Sequence, residues 1–264
     1  MKPVYLLALF TVISFSLAAQ KEWGFTYSAS LPQHEMKKNI NTTHSLNAFV
    51  MSNFKGSKKL SWGVEIGFGQ YAFFTKEQDI RFPDGSGIKT DVSYSSNVVN
   101  AGLLGRYNFF KEAKKGISPY FTAKLGYANF FSKVYVHDPE DEDDCKPLDK
   151  KTPIKDHSFF ASYGAGLQID VSGKQRPKGT WLDISVSQIH GTKLDYINVK
   201  DIKDHVHNDP NNPTPPTSDK STPLTIKFVN VATQTIHEHQ LAEVYNSPFR
   251  ALQIKAGIVW RLDL

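Results

Sequence analysis

From Trp23 to the C-terminus, apolar side chains recur at every second position, the period of a strand with one apolar and one polar face. Helical spacing is scarce. In the clearest run Leu60, Trp62, Val64, Ile66 and Phe68 share one face, while Ser61, Gly63, Glu65, Gly67 and Gly69 share the other. The last run sets Leu252, Ile254, Ala256, Ile258, Trp260, Leu262 and Leu264 against Gln253, Lys255, Gly257, Arg261 and Asp263, with Val259 breaking the polar side. A third sets Phe159, Ala161, Tyr163, Ala165, Leu167, Ile169 and Val171 against small and polar residues, with Phe160 breaking the pattern. Weaker versions at 23–30, 43–54, 92–110, 118–136 and 181–198 bring the total to eight.

A soluble sandwich also alternates, so the period leaves open which face meets water. Connection lengths separate the two cases. In order they are long (31–42), short (55–58), long (75–91), short (111–117), long (137–157), short (173–179) and very long (199–248). Eight antiparallel strands with both ends on the periplasmic side require four long exterior connections and three short turns in this sequence. A Greek-key sandwich has no reason to follow that rule. The prediction is an all-β, eight-stranded antiparallel up-and-down transmembrane β-barrel over 20–264, set in the cell outer membrane with a long extracellular loop at 199–248.

Aromatic placement supplies an independent argument. All four tryptophans lie near short connections or chain ends, whereas Phe73, Phe74, Phe130, Phe131, Phe159 and Phe160 lie near long ones. Rings favour the headgroup level, so Trp23, Trp62, Phe74, Phe109, Phe131, Phe159 and Trp260 are expected to form two girdles. Strict alternation turns Trp181 inward, because Leu182, Ile184 and Val186 take the lipid face.

The N-terminus reads as an address. Met1 and Lys2 precede an apolar run at 4–17 and then Ala18, Ala19 and Gln20, the plan of a secretory signal peptide over 1–19. Elsewhere no stretch approaches the ~20 consecutive apolar residues of a spanning helix. The 264 residues carry a net charge of +5, too weak a balance for a nucleic-acid footprint, and 12% aromatic content argues against disorder. Cys145 is the only cysteine, which excludes a disulfide framework and a thiolate metal cluster.

The leader ending Ala-Ala-Gln, the glycine-punctuated strand 62–70, the segment Ser187-Gln188-Ile189-His190-Gly191-Thr192-Lys193 and the final 252–264 together resemble the outer-membrane β-barrel domain proteins common in Bacteroidetes. The topology is similar to that of OmpA and OmpX, and the resemblance covers nearly the whole mature chain. It implies location and fold, and no enzymatic activity.

Alternation places Glu65, Arg106, Lys124, Asp170, Asp183, Lys255 and Arg261 on the inward face as a lumenal charge network. Asp170, Asp183, Arg106 and Arg261 fall near the short-turn end, and Glu65, Lys124 and Lys255 nearer mid-membrane. An eight-stranded barrel is just wide enough for side chains to fill, so these groups must neutralise one another. The leading function is a non-enzymatic barrel that supports the envelope or binds through its extracellular loops. A narrow gated ion channel through the charge network is an alternative, drawn from the likeness to OmpA. A lipid-modifying barrel enzyme is a third, weakened because Ser187 points inward while His190 and Thr192 point outward, leaving no nucleophile beside a base. No cofactor is called for. His205, His207, His237 and His239 form two His-X-His pairs and are weak metal candidates, read as exposed loop histidines because no third ligand type closes a site. The acids from Asp138 to Asp144 lack calcium-loop spacing and read as a solvated loop. Expected partners are outer-membrane lipid and an extracellular ligand or envelope protein.

Overall fold

The computed structural model describes residues 21–54, 57, 59–81, 87–110, 116–137, 147–172, 179–200, 221–229 and 236–262. The expected signal peptide at 1–19, the acidic loop at 138–144, Cys145, His205 and His207 lie outside these residues. His237 and His239 lie on a strand, with side chains outside the description.

The described chain is nearly all strand: β1 (Lys21–Pro32), helix α1 (Glu35–Asn39), β2 (Thr43–Asn53), β3 (Leu60–Arg81), β4 (Gly87–Asn108), β5 (Ile117–His137), β6 (Pro147–Asp170), β7 (Thr180–Ile197), β8 (Ser221–Val229) and β9 (Ile236–Leu262). Each strand pairs antiparallel with its neighbours in the order β1-β2-β3-β4-β5-β6-β7-β9, and β9 pairs back onto β1, with Trp23 opposite Trp260. Eight strands therefore close a barrel. The other strand, β8, pairs with the far end of β9 as a hairpin outside the ring. At the short-turn end Gly116 and Gly179 adopt φ of 75° and 82°, a conformation that favours glycine, and their carbonyls accept Asp170 N and Arg261 N.

The strands outrun the cylinder. Pairing of β2 with β3 stops at His44 opposite Gln70, and pairing of β6 with β7 stops at Phe160 opposite Gly191. Beyond these rungs β3 to β6 continue as one sheet, and β7, β9 and β8 as another. Much of what alternation reads as long loops at 75–91, 137–157 and 199–248 is thus strand.

Along each wall the inward face stays the same while its chemistry inverts. On β4 the inward positions run Arg106, Leu104, Asn100, Val98, Ser96, Tyr94 and Val92, all buried; the outward ones run Tyr107, Leu103 and Val99, then Ser95, Ser93 and Asp91. Within the cylinder the filling is largely polar and the exterior apolar. Past it, Val92, Tyr94, Val134, Ile154, Leu194, Tyr196, Ile197 and Ala242 are buried in one apolar cluster, against which Phe74, Leu224 and Val244 pack. We call this part the head.

The first long connection also turns inward. Met36 of α1 and Ile40 are buried in the same cluster, Asn39 donates to Tyr196 Oη at 3.3 Å, and Val199 N donates to Asn39 O at 2.8 Å. This segment stoppers the cylinder beneath the head.

Candidate functional site

The middle of the lumen holds three charges from three strands. Lys124 of β5 donates to Glu65 Oε1 of β3 at 2.7 Å, and Lys255 of β9 reaches both oxygens of Glu65 at 2.7 Å. All three point inward because their neighbours Val64, Ile66, Leu125, Ile254 and Ala256 face out. Asn100 Oδ1 lies 3.4 Å from Lys124 Nζ, and the ammonium sits 4.9 Å above the Phe160 ring. Around them Asn47 donates to Ser28 Oγ at 3.0 Å, and Gln253 to Ser30 Oγ at 3.0 Å.

A second cluster fills the short-turn end. Arg106 pairs with Glu22, and its other terminal nitrogen lies 3.7 Å from Asp183. Arg261 Nε reaches Glu22 Oε2 at 3.3 Å and hydrogen-bonds Gln168 through its terminal nitrogen. Gln168 Nε2 donates to Glu22 at 2.9 Å and to Asp183 at 3.0 Å, while Tyr120 Oη donates to Asp183 at 2.7 Å. Every carboxylate here is shared between donors, the condition for tolerable charge burial.

Two residues change places relative to the sequence reading. Asp170 stands apart from this cluster: it is the last residue of β6, opposite Trp181 and exposed at the mouth, where Oδ1 accepts Ser172 N at 2.8 Å. Glu22 occupies the lumen instead. It escapes a reading that starts the first strand at Trp23, although extending the alternation one residue upstream of the outward Trp23, Phe25 and Tyr27 would have found it. Three acids still face four bases.

The breaks in alternation are apolar plugs. Trp181 is buried and inward, opposite Val259 in register, and both pack with Phe49, Met51 and Leu104 as an apolar layer at the short-turn end. The guanidinium of Arg261 lies 4.1 Å over the Trp181 ring, a cation-π contact. Phe160 is the counterpart at the other end, meeting Phe249 edge to face at 5.9 Å. Between the layers lie two voids of about 30 Å³ each, room for one or two waters. The unpartnered Arg106 Nε and Thr26 Oγ1 belong to residues lining one of them.

Outside, Trp23 stacks on Trp260 with centroids 4.4 Å apart, Phe54 approaches Trp62 at 6.5 Å, and Tyr107 meets Phe109 at 5.8 Å. At the other rim Phe159 is exposed and edges onto Tyr127 at 5.4 Å, and Phe131 is half-buried. Phe74, expected in this girdle, is turned inward and stacks on Tyr94 at 5.1 Å. A register shift between Gln70 and Ala72 exchanges the faces, so Phe73, 76% exposed, takes the outward place. Ser187 is buried in the lumen, whereas His190 is exposed and stacks on Tyr163 with the rings 8° from parallel. Thr192 approaches Ser158, at 3.1 Å between hydroxyls, and no base lies between them.

A closed cylinder with a greasy exterior, two aromatic rims and a polar filling defines a membrane β-barrel. Residues 5–208 match the family described as outer membrane protein beta-barrel domain, and the chain belongs to that family. Among solved structures it is similar to a major outer membrane protein from Thermus thermophilus, at 10% identity and TM-score 0.47, covering 93% of this chain and 100% of that one. Neisserial surface protein A follows at 9% identity and TM-score 0.36, covering 92% and 96%. Ail, the attachment invasion locus protein of Yersinia pestis, solved with the heparin analogue sucrose octasulfate, gives 13% identity and TM-score 0.32, covering 92% and 97%. No curated protein sequence matches.

Proposed function

We propose that this chain is a non-enzymatic, non-conducting outer-membrane barrel whose task is to hold a stiff β-structured head outside the cell, where it meets an extracellular ligand or another envelope protein. Residues 1–19 deliver it to the export machinery, with cleavage after Ala19, and the short turns face the periplasm. The observation that carries this reading is the continuity of β3 to β6 from the lumen into the head, around an apolar cluster reaching from Met36 to Ala242. A loop that only closed a barrel would need no such core. The filled lumen, with an apolar layer at one end and the Met36–Ile40 stopper at the other, supports the non-conducting part.

The alternative of a gated ion path draws on one feature: Glu65 is shared by two lysines and could exchange one for the other. Planar-bilayer recording separates the two readings. A silent bilayer is the expected result, and reproducible conductance steps would favour the gate. Presentation is tested with an epitope inserted at 212 and antibody labelling of intact cells, followed by crosslinking in native outer membranes with and without 221–245. Labelling, and loss of crosslinked species in the deletion, are expected. An inaccessible epitope would overturn the orientation.

A further inference from the structure

We propose that the outward wall of β3 to β6 is a binding site for one membrane lipid that carries phosphate, with an acyl chain in a groove of the wall and the phosphate on Lys133, Lys155 and His157. The groove, of about 870 Å³, is bounded by Leu103, Leu125, Tyr127 and Phe159 and floored by Ala101 and Ala161. Register explains its shape. Small Ala101 lies opposite Tyr127 and Leu125 opposite small Ala161, all on the outward face, so the wall dips between large side chains. It opens broadly outward, and its lining is almost wholly apolar.

The same outward faces become basic just past the groove. On β6 the order is Ala161, Phe159, His157, Lys155, and on β5 it is Leu125, Tyr127, Asn129, Phe131, Lys133. Phe131 lies opposite Lys155, and Asn129 opposite His157. At about 3.4 Å per residue, His157 and Lys155 stand roughly 7 and 14 Å beyond Phe159, at headgroup height when Phe159 marks the hydrocarbon edge. His157 is held with its ring stacked on Tyr127 at 5.4 Å while 57% of the side chain stays exposed. The one described carboxylate beside it, Asp156, accepts His157 N on one oxygen and Asp195 N on the other, each at 2.7 Å; the first oxygen lies 3.7 Å from His157 Nδ1. Among the described residues Lys133 and Lys155 have no ion-pair partner.

Charge complementarity selects the occupant. On the adjoining β3–β4 stretch of the same wall, beyond Phe73, exposed Glu77 lies across from exposed Asp91. The β3–β4 stretch carries carboxylates there, whereas the β5–β6 stretch sets two lysines and a histidine directly above an apolar trough. Lysine ammonium groups make charge-assisted bonds to phosphate oxygens and an imidazole N–H can donate to them, and at the membrane boundary each such donor contributes to holding an anionic head.

The test titrates the purified full-length barrel in detergent micelles by native mass spectrometry, using diphosphorylated lipid A, the same lipid with both phosphates removed, and inorganic phosphate alone. The phosphorylated lipid should bind about tenfold or more tightly than the dephosphorylated one, and Lys133→Gln/Lys155→Gln/His157→Gln should abolish that ratio. Ala161→Phe, which fills the trough, should weaken both lipids alike, and Asp91→Asn should leave the ratio unchanged. Folding of each variant is checked by heat-modifiable gel mobility; the triple variant changes only surface side chains, so it decides if Ala161→Phe fails to fold. Equal binding of the two lipids by the wild type, retention of the ratio by the triple variant, or inorganic phosphate competing as well as the lipid would each overturn the proposal. None of these outcomes depends on whether the head binds a partner.

Discussion

Lumen and head are built on the same strands and the same inward faces, yet one interior is charged and the other greasy. Lys124 and Phe130 are both buried on the inward side of β5, as Asn100 and Val92 are on β4. The difference lies outside the wall. Where hydrocarbon surrounds the sheet, apolar side chains gain nothing by turning inward and polar ones must be sequestered. Where water surrounds it, the ordinary hydrophobic effect returns and apolar side chains fill the middle. The inversion falls near Gln70, Asn97, Asn129 and His157, which sets the outer membrane boundary independently of the aromatic rim.

Variants in the two interiors should fail for opposite reasons. Glu65→Ala leaves Lys124 and Lys255 buried without a counter-charge, and breaking one partner of such a set costs about 3–5 kcal/mol. Urea midpoints in detergent should fall accordingly. Combining Glu65→Leu, Lys124→Met and Lys255→Met should recover most of that loss; if it does not, the lumen needs its charges for more than mutual neutralisation.

Ile66→Arg, on the lipid face next to Glu65, should cost about 2–4 kcal/mol and impair insertion, read by heat-modifiable mobility. A swap on β4 comes next. Val92→Asn places an unpartnered amide in the head core and should cost about 1–3 kcal/mol, while Asn100→Val removes only a 3.4 Å contact to Lys124 and should cost about 1 kcal/mol or less. Equal effects would contradict a different solvent for the two interiors. Gly67→Ser is comparably mild. Its Cβ would press on Asn47 Oδ1 and lie 2.7 Å from Asn100 Nδ2, both ends of movable side chains, so about 1 kcal/mol is expected.

Much of this was legible in the order of residues. Alternation places Lys124 and Lys255 on the face of Glu65, since a period of two lets each outward Ile66, Leu125 or Ile254 fix its neighbours as inward. The reading goes astray where periodicity stops being a guide. Phe74 lies past a register shift that exchanges the faces, Asp170 is the exposed end residue of β6, and Glu22 precedes the first obvious apolar residue. The head escapes for a different reason: its strands also alternate, but with the meaning of each face reversed, and a period carries no label for the solvent.

What the sequence by itself determined is the strand period, the rhythm of long and short connections and the side of each strand that carries charge, because these follow from local backbone geometry and chain order. Only the tertiary structure decided that Glu22 joins Arg106 from 84 residues away, that Trp181 and Val259 close one end, and that α1 stoppers the other. Such contacts depend on which strands meet when the sheet closes and on how far each runs past its neighbour. Those are properties of the assembled cylinder, and no single strand contains them.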